Sequence, residues 1–509
     1  MEFFGLKKTI TPPTVPTDTI IPFHYYDDTH HNRGLAFDFT FRFDDVLDPR
    51  KLQMAFSRLL ELGDWRKLGA RIRRNGEGKL EYHVPESFDD KRPGFAYSTA
   101  TFDCKVDDHT QASRLAQPHN LDAEGHPSLL GLSYAATPEF RSFIRVAGFP
   151  NYLNDWLHSD SPQIGIRVII FQDATLVTIS FLHSLMDMMG LNTVLDAWIT
   201  VLCGQEDQVK PFIGFSHDPL AGLKDTKPKL LPKYVFAETL LMGWAWILFA
   251  LRYILLVEMF WKYREEERMI FLPRKYMHRM RKEAMEELAP QTTSDGKPFF
   301  VSDGDVLYAW WTRVVLRAEN PSPDRMVNMR STYCCRSLLA DLGHIPSATS
   351  ALVTNAVSST LTFLSVRQIL ERPLSFTASA IREALMQQRN EEQFQAYDAI
   401  KKDTLDNANH PALFGSPNMY MIMMSNWAKA KLFEVNFSAA VRDTGMPLDQ
   451  RKNQSGKPSF ILGTGTKSYA TKNTGVVIGK DAVGNYWLLY TLHKDVWPAV
   501  QQQLLSLLD

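Results

Sequence analysis

The stretch "GIRVIIFQDATLVTISFLHSLMDMMG", Gly165 to Gly190, decides how the chain is read. Two apolar runs, about Ile166 to Phe171 and Leu176 to Leu182, flank a turn at Gln172 to Thr175, the pattern of strand, turn and strand. Met188, Leu191, Leu195, Trp198 and Leu202 then recur at helical spacing along one face. His183 and Asp187, four residues apart, therefore fall where a strand hands over to a helix. Spacing alone is a weak signal. The chain has 14 histidines, and about one such match arises by chance in a sequence of this kind. A second match, His24 and Asp28 in "HYYDD", lies in an irregular approach segment and is read as that chance pairing.

Composition narrows the setting. The 509 residues are 45% hydrophobic and 22% charged, ordinary for a globular protein and long enough for two or three domains. The net charge is −1 with no long basic run, which argues against a nucleic-acid partner. Cys104, Cys203, Cys334 and Cys335 form no CxxC, so neither a disulfide framework nor a zinc site is expected, and no metal is assigned. The opening "MEFFGLKKTITPPTVPTD" lacks the apolar core of a secretory signal and reads as a proline-punctuated arm. A reducing, cytoplasmic setting is expected.

Outward from the central stretch, strands and helices alternate. "LAFDFTFRF" (Leu35 to Phe43) alternates at period two like a half-buried strand, and "DPRKLQMAFSRLLEL" follows at helical spacing behind Asp48 and Pro49. From Cys203 to Lys233 the pattern dissolves into Pro, Gly and Lys, the mark of a crossover. "FVSDGDVLYAWWTRVVLRA" (Phe300 to Ala318) is a helix capped by Ser302 or Asp303, its Tyr308, Trp310 and Trp311 facing the core. "PSFIL", "TGVVIG" and "YWLLYTL" are strands, and "VWPAVQQQLLSLL" closes the chain as a helix. "GTGTKS" (Gly463 to Ser468) lacks the spacing of a phosphate loop and is expected to connect strands. Mixed elements in both halves predict an α/β or α+β protein of two similar-sized domains.

These residues carry a resemblance. The strand–turn–strand followed by HxxxD resembles the BAHD acyltransferases, and more closely the fungal secondary-metabolite O-acyltransferases related to trichothecene O-acetyltransferase. The family signature is HxxxDG; here it reads His183 to Asp187 followed by Met188, with glycine only at Gly190. "DFTFRFDDVLDPRKLQMAFSRLLEL" and "RKLGARIRRNGEGKLEYHVP" look like the family's opening strand–helix unit and hairpin, and "MIFLPRKYMHRMRKEA" like the element that opens its second domain. "VNMRSTYCC", with Asn355 further on, resembles the strand that supplies an arginine to the motif aspartate. "SNWAKAKLFEVNFS" stands where the family has DFGWG, with Asn436 and Phe437 for its first two residues and Ser438, Ala439 and Ala440 for the rest. The resemblance covers nearly the whole chain.

It implies an α/β fold of the chloramphenicol-acetyltransferase type, two domains of mixed sheet with flanking helices and an active-site channel between them. The domains would span 1–205 and 234–509, joined by a crossover at 206–233, with a segment near 434–470 returning to the first. It implies acyl transfer, acetyl above others, from coenzyme A as co-substrate to a hydroxyl of a hydrophobic terpenoid or polyketide, with no permanently bound cofactor. His183 would be the general base. Asp187 would point away and pair with an arginine, Arg330 first and Arg336 as the alternative, while Asn436 lends structural support. The coenzyme-binding residues are not assigned. A monomer is expected.

The chemistry of the residue types agrees. A base near neutrality suits proton removal from a hydroxyl, and histidine's free pKa lies there. No covalent enzyme intermediate is needed, which fits the lack of a GxSxG elbow. Two other readings keep the same sequence features: acyl transfer from a carrier protein, as in condensation domains, and a catalytically silent binding paralogue. Condensation domains usually double the histidine, and Leu182 occupies that place here. Finally, "TLLMGWAWILFALRYILLV" (Thr239 to Val257) carries one charge, Arg252, and is expected to be a helix lying in a membrane interface rather than spanning it. That would attach the enzyme to the cytosolic face of an internal membrane.

Overall fold

The computed structural model describes residues 11–116, 121, 125–221, 233–253, 264–290, 292, 296, 298–346, 349–408 and 410–506. Two large mixed sheets organise them. The first has five strands in the order Pro458–Lys467, Leu35–Phe43, Thr175–Leu182, Ile164–Ile170 and Ala96–Thr101. The second has seven, in the order Val357–Ser365, Met326–Cys334, Tyr420–Asn426, Thr474–Lys480, Tyr486–His493, Glu265–Leu272 and Ser128–Gly131. Each sheet combines antiparallel and parallel neighbours. The protein is an α/β chain with helices against both sheets.

The two sheets exchange strands. Pro458–Lys467, late in the chain, pairs antiparallel with Leu35–Phe43, and Ser128–Gly131, from the first half, edges the second sheet beside Glu265–Leu272. The crossover expected at 206–233 is described only as far as 221 and again from 233. Within it Phe212–Ile213 pairs parallel with Ala351–Leu352.

The central hairpin runs Ile164–Ile170 and Thr175–Leu182, and the helix Met188–Leu202 follows. That helix packs on Pro49–Glu61, which Asp48 caps by accepting from the Arg50 and Lys51 amides. Trp198 stands edge-on to Phe56 and donates from its indole nitrogen to the Leu52 carbonyl at 3.0 Å, fixing the two helices in register. The helix Asp303–Glu319 has Ser302 as its cap and Tyr308, Trp310 and Trp311 in the second core.

Two sequence expectations are corrected. Leu35–Phe43 is not half-buried: all but Phe37 of its side chains are buried, because strands flank it on both sides and its polar face is covered too. Asp38, Thr40 and Arg42 are tolerated there because each is paired. Arg145 and Ser180 donate to Asp38, Thr40 meets Thr178 at 2.8 Å, and Arg42 donates to Asp44. "GTGTKS" is not a connecting loop either. Its first five residues end the strand Pro458–Lys467, where a Cβ at Gly465 would lie 2.1 Å from the Ala36 carbonyl oxygen, so only glycine fits there.

Candidate active site

Sheet register assembles the site. Ala36 pairs with Leu182 and Lys467 with Leu35, so the start of one strand and the ends of two others meet at one end of the five-stranded sheet. From that end emerge His183, the segment His30–Arg33 with His31, and Tyr469. The amide of His183 donates to the Leu35 carbonyl at 2.8 Å, prolonging the ladder by one bond.

The His183 ring is fixed from its own loop. Its Nδ1 lies 3.1 Å from the Met186 carbonyl, which can only accept, so Nδ1 carries the proton and Nε2 keeps its lone pair. Phe37 lies against the ring at 5.0 Å and His31 stands edge-on at 5.7 Å between centroids. Burial lowers the pKa of His183 below the ordinary value, with Asp187 and the Met186 carbonyl opposing. The imidazole is therefore neutral near pH 7, the state a general base needs.

Asp187 does not touch that ring. One carboxylate oxygen accepts from the Gly190 amide at 2.8 Å and caps the helix Met188–Leu202. The other accepts from Arg336 at 2.9 Å and from the Ala356 amide at 2.8 Å. The arginine that reaches Asp187 is thus Arg336. Arg330, the first expectation, donates instead to the hydroxyl of Tyr397, on the helix Glu391–Ala408, at 2.9 Å. The difference lies in where the strand ends. Arg330 sits inside Met326–Cys334, whereas Arg336 begins the next helix and turns back toward the loop.

Met188 in place of the motif glycine is accommodated because it opens a right-handed helix and needs no left-handed backbone. Gly190 is the glycine that matters. A side chain there would lie 2.2 Å from the Val353 carbonyl, so the helix could not approach the segment that follows Ala351–Leu352. Asn355, beside it, donates to the His183 carbonyl at 2.9 Å and to Asp27, which also accepts from Thr354. Asp27 belongs to the approach segment that holds His24 and Asp28, but His24 meets Lys67 and Asp28 pairs with Arg33, not the His183 ring. The His24–Asp28 match is not a second site.

Asn436 accepts from the Ser438 amide at 3.0 Å, and Phe437 packs against Phe43 and Trp198. This segment braces the first core rather than the His183 loop. Sequence reasoning missed Asp27, His31 and Tyr469. Only the strand register, which pairs Leu35 with Lys467, signals that His31 and Tyr469 share a sheet end with His183.

A histidine with one nitrogen locked, on a loop pinned by a carboxylate, can act as a base, and two chains similar to this one are named acetyltransferases. Acetyltransferase sphE of Aspergillus fumigatus is 68% identical over 505 residues, covering 99% of this chain and 98% of that protein. The chain belongs to the fungal secondary-metabolite O-acyltransferases. Acetyltransferase adrJ of Penicillium rubens is 36% identical over 506 residues, 99% of each chain. A protein of Penicillium decumbens named transcriptional regulator calD is 37% identical over 508 residues, 98% of this chain and 99% of that one. No family model matches the chain. Among solved structures, TRI101 of F. sporotrichioides with coenzyme A and T-2 superposes with a TM-score of 0.64 at 14% identity, covering 95% of this chain and 97% of that one. Vinorine synthase superposes at 0.57 and 13% identity, over 98% and 96% of the two chains. The acyltransferase thus has the two-domain fold of the chloramphenicol-acetyltransferase type.

Proposed function

We propose that this acyltransferase moves an acetyl group from coenzyme A to a hydroxyl of a hydrophobic metabolite, a terpenoid or polyketide, with His183 as general base. The observation that carries this reading is the His183 ring, held through Nδ1 by the Met186 carbonyl on a residue whose own carbonyl accepts from Asn355. Its Nε2 takes the acceptor's proton as the acceptor oxygen attacks the thioester carbonyl. The carbon–sulfur bond then breaks, and the proton passes to the departing thiolate. A positioned base of this kind supplies roughly 10²–10⁴-fold in rate. Asp187 and Arg336 hold the loop rather than the proton. The TRI101 structure, which holds coenzyme A and T-2, supports the choice of donor and of acceptor class. The net charge of −1 gives no electrostatic basis for DNA binding, which speaks against a regulator's role of the kind calD is named for.

We read residues 1–205 and 234–509 as the two domains, the segment near 434–470 returning to the first, which the pairing of Pro458–Lys467 with Leu35–Phe43 supports. We read the enzyme as a monomer that rests on the cytosolic face of a membrane. No described helix is long and apolar enough to cross one. The helix Gly243–Tyr253 shows outward Trp244, Ile247, Leu248 and Leu251, one face at helical spacing, and buries Phe249 on the other. Residues 254–257 of the apolar stretch lie outside the described residues. The deciding experiment incubates the purified protein with radiolabelled acetyl-CoA and follows loss of the label from the thioester. Turnover by wild type and none by His183→Ala supports acyl transfer, and no turnover by either leaves only a binding role.

A further inference from the structure

Beside His183 stands a second imidazole that the mechanism above does not use. His31 is exposed and His183 half-buried, and the two rings face one another at the same end of the five-stranded sheet. The rings stand edge-on with centroids 5.7 Å apart, close enough for one small group to touch both. Tyr469 reaches His31 from the neighbouring strand end, its hydroxyl 2.7 Å from Nδ1 and 3.3 Å from the His31 carbonyl. The imidazole nitrogen is the nearer and more basic acceptor, so the phenol proton lies there and Nε2 of His31 carries the hydrogen. Burial, and after it Tyr253, raise the Tyr469 pKa and keep that proton on the phenol. Burial, His183, Arg330, His30 and Lys467 lower the pKa of His31, which is thereby held neutral. The two histidines are thus in opposite forms: His183 offers a lone pair and His31 an N–H.

We infer that His31 is a second catalytic residue, donating from Nε2–H to the carbonyl oxygen of the acyl group as that oxygen gains negative charge. Donation to the acceptor hydroxyl would draw electron density from the nucleophile and oppose the step His183 promotes. Donation to the acyl oxygen stabilises charge that exists only after attack begins, which is where a fixed donor lowers a barrier. A neutral donor is suited to this, since it cannot release its proton to the intermediate as an imidazolium would. Tyr469 is a positioning residue that selects the tautomer.

This inference rests on the acyl-transfer reading, and a test with water as acceptor separates the two. Acetyl-CoA hydrolysis is followed as released thiol with wild type, His31→Ala and His31→Asn, with thermal melting of each. His31→Ala should lower kcat about 10²-fold or more, the usual effect of deleting one such donor, with KM for acetyl-CoA unmoved. His31→Asn, which restores an N–H, should recover at least about a tenth of the lost rate. His31→Ala hydrolysing within about threefold of wild type would overturn the inference, because a residue that only orients a bulky alcohol has no part in reaction with water. So would a loss carried by KM, or a fall in melting midpoint that Asn shares without regaining rate. Wild type that releases no thiol refutes the acyl-transfer reading itself.

Discussion

Arg336 donates to Asp187 at 2.9 Å across 149 residues of sequence, joining the second sheet's segment to the loop that carries His183. Asp187 is nearly inaccessible and its partner almost so. The same carboxylate caps a helix and accepts the Ala356 amide, so one side chain ties three segments of the chain together. Asp187→Asn and Arg336→Met should each cost about 3–5 kcal/mol, since either strands a buried charge or its donors. The double mutant should lose less than the sum by at least about 1 kcal/mol. Chemical denaturation measures all four corners of the cycle, and strict additivity would show that the pair is not coupled.

His183→Ala should leave the melting midpoint in place, because the strand ladder and the Asp187 pair hold the loop without the imidazole. Single-turnover transfer should fall at least ~10²-fold, the contribution of a positioned base. A variant that keeps more than about a tenth of the rate would show that another group takes the proton.

Acidity should read the same histidine. The active form is neutral, and burial shifts its protonation to lower pH than in a free side chain. The acid limb of kcat/KM should therefore have its midpoint below about 6.5, the ordinary histidine value. The sign for stability follows. As pH falls below that value the unfolded chain takes the proton first, so folding weakens toward the folded-state pKa. A limb centred at or above about 6.5 would mean that His183 is not buried against its charged form.

The hairpin before His183, the helix after it and the cap at Ser302 were legible in the sequence because each is set by local periodicity and a local partner. The choice between Arg330 and Arg336 was not. It depends on which residue leaves the strand Met326–Cys334 and turns back, a matter of tertiary path. His31 and Tyr469 were hidden for the same reason: they are 438 residues apart, and only the register of two antiparallel strands brings them together. The buried polar face of Leu35–Phe43 misled in another way. Period-two alternation marks one apolar face, but it does not say that the other face is wet when Arg145, Ser180 and Thr178 wait to pair with it.

The helix Gly243–Tyr253 carries the last prediction. Trp246 stacks on His410 and Phe249 enters a small core with Leu241 and Met419, so one side is anchored to the protein. The opposite side leaves Trp244 79% and Leu248 59% exposed, with Ile247 and Leu251 in the same stripe. The eleven described residues rise about 16 Å, roughly half of the hydrocarbon thickness, a length that suits a helix lying on a bilayer. Its far end is functionally placed. Tyr253 lies near enough to Tyr469 to influence its phenol, and Tyr469 holds His31 beside His183. A lipid-dissolved acceptor entering along this helix would meet His31 and His183 without passing through water. Wild type should float with phosphatidylcholine vesicles on a density gradient, and Trp244→Glu combined with Leu248→Glu should stay at the bottom while hydrolysing acetyl-CoA at the wild-type rate. Burying two such side chains contributes about 3–6 kcal/mol, enough to govern the partition. Wild type that remains with the soluble fraction in the presence of vesicles would show that this face is covered by protein instead.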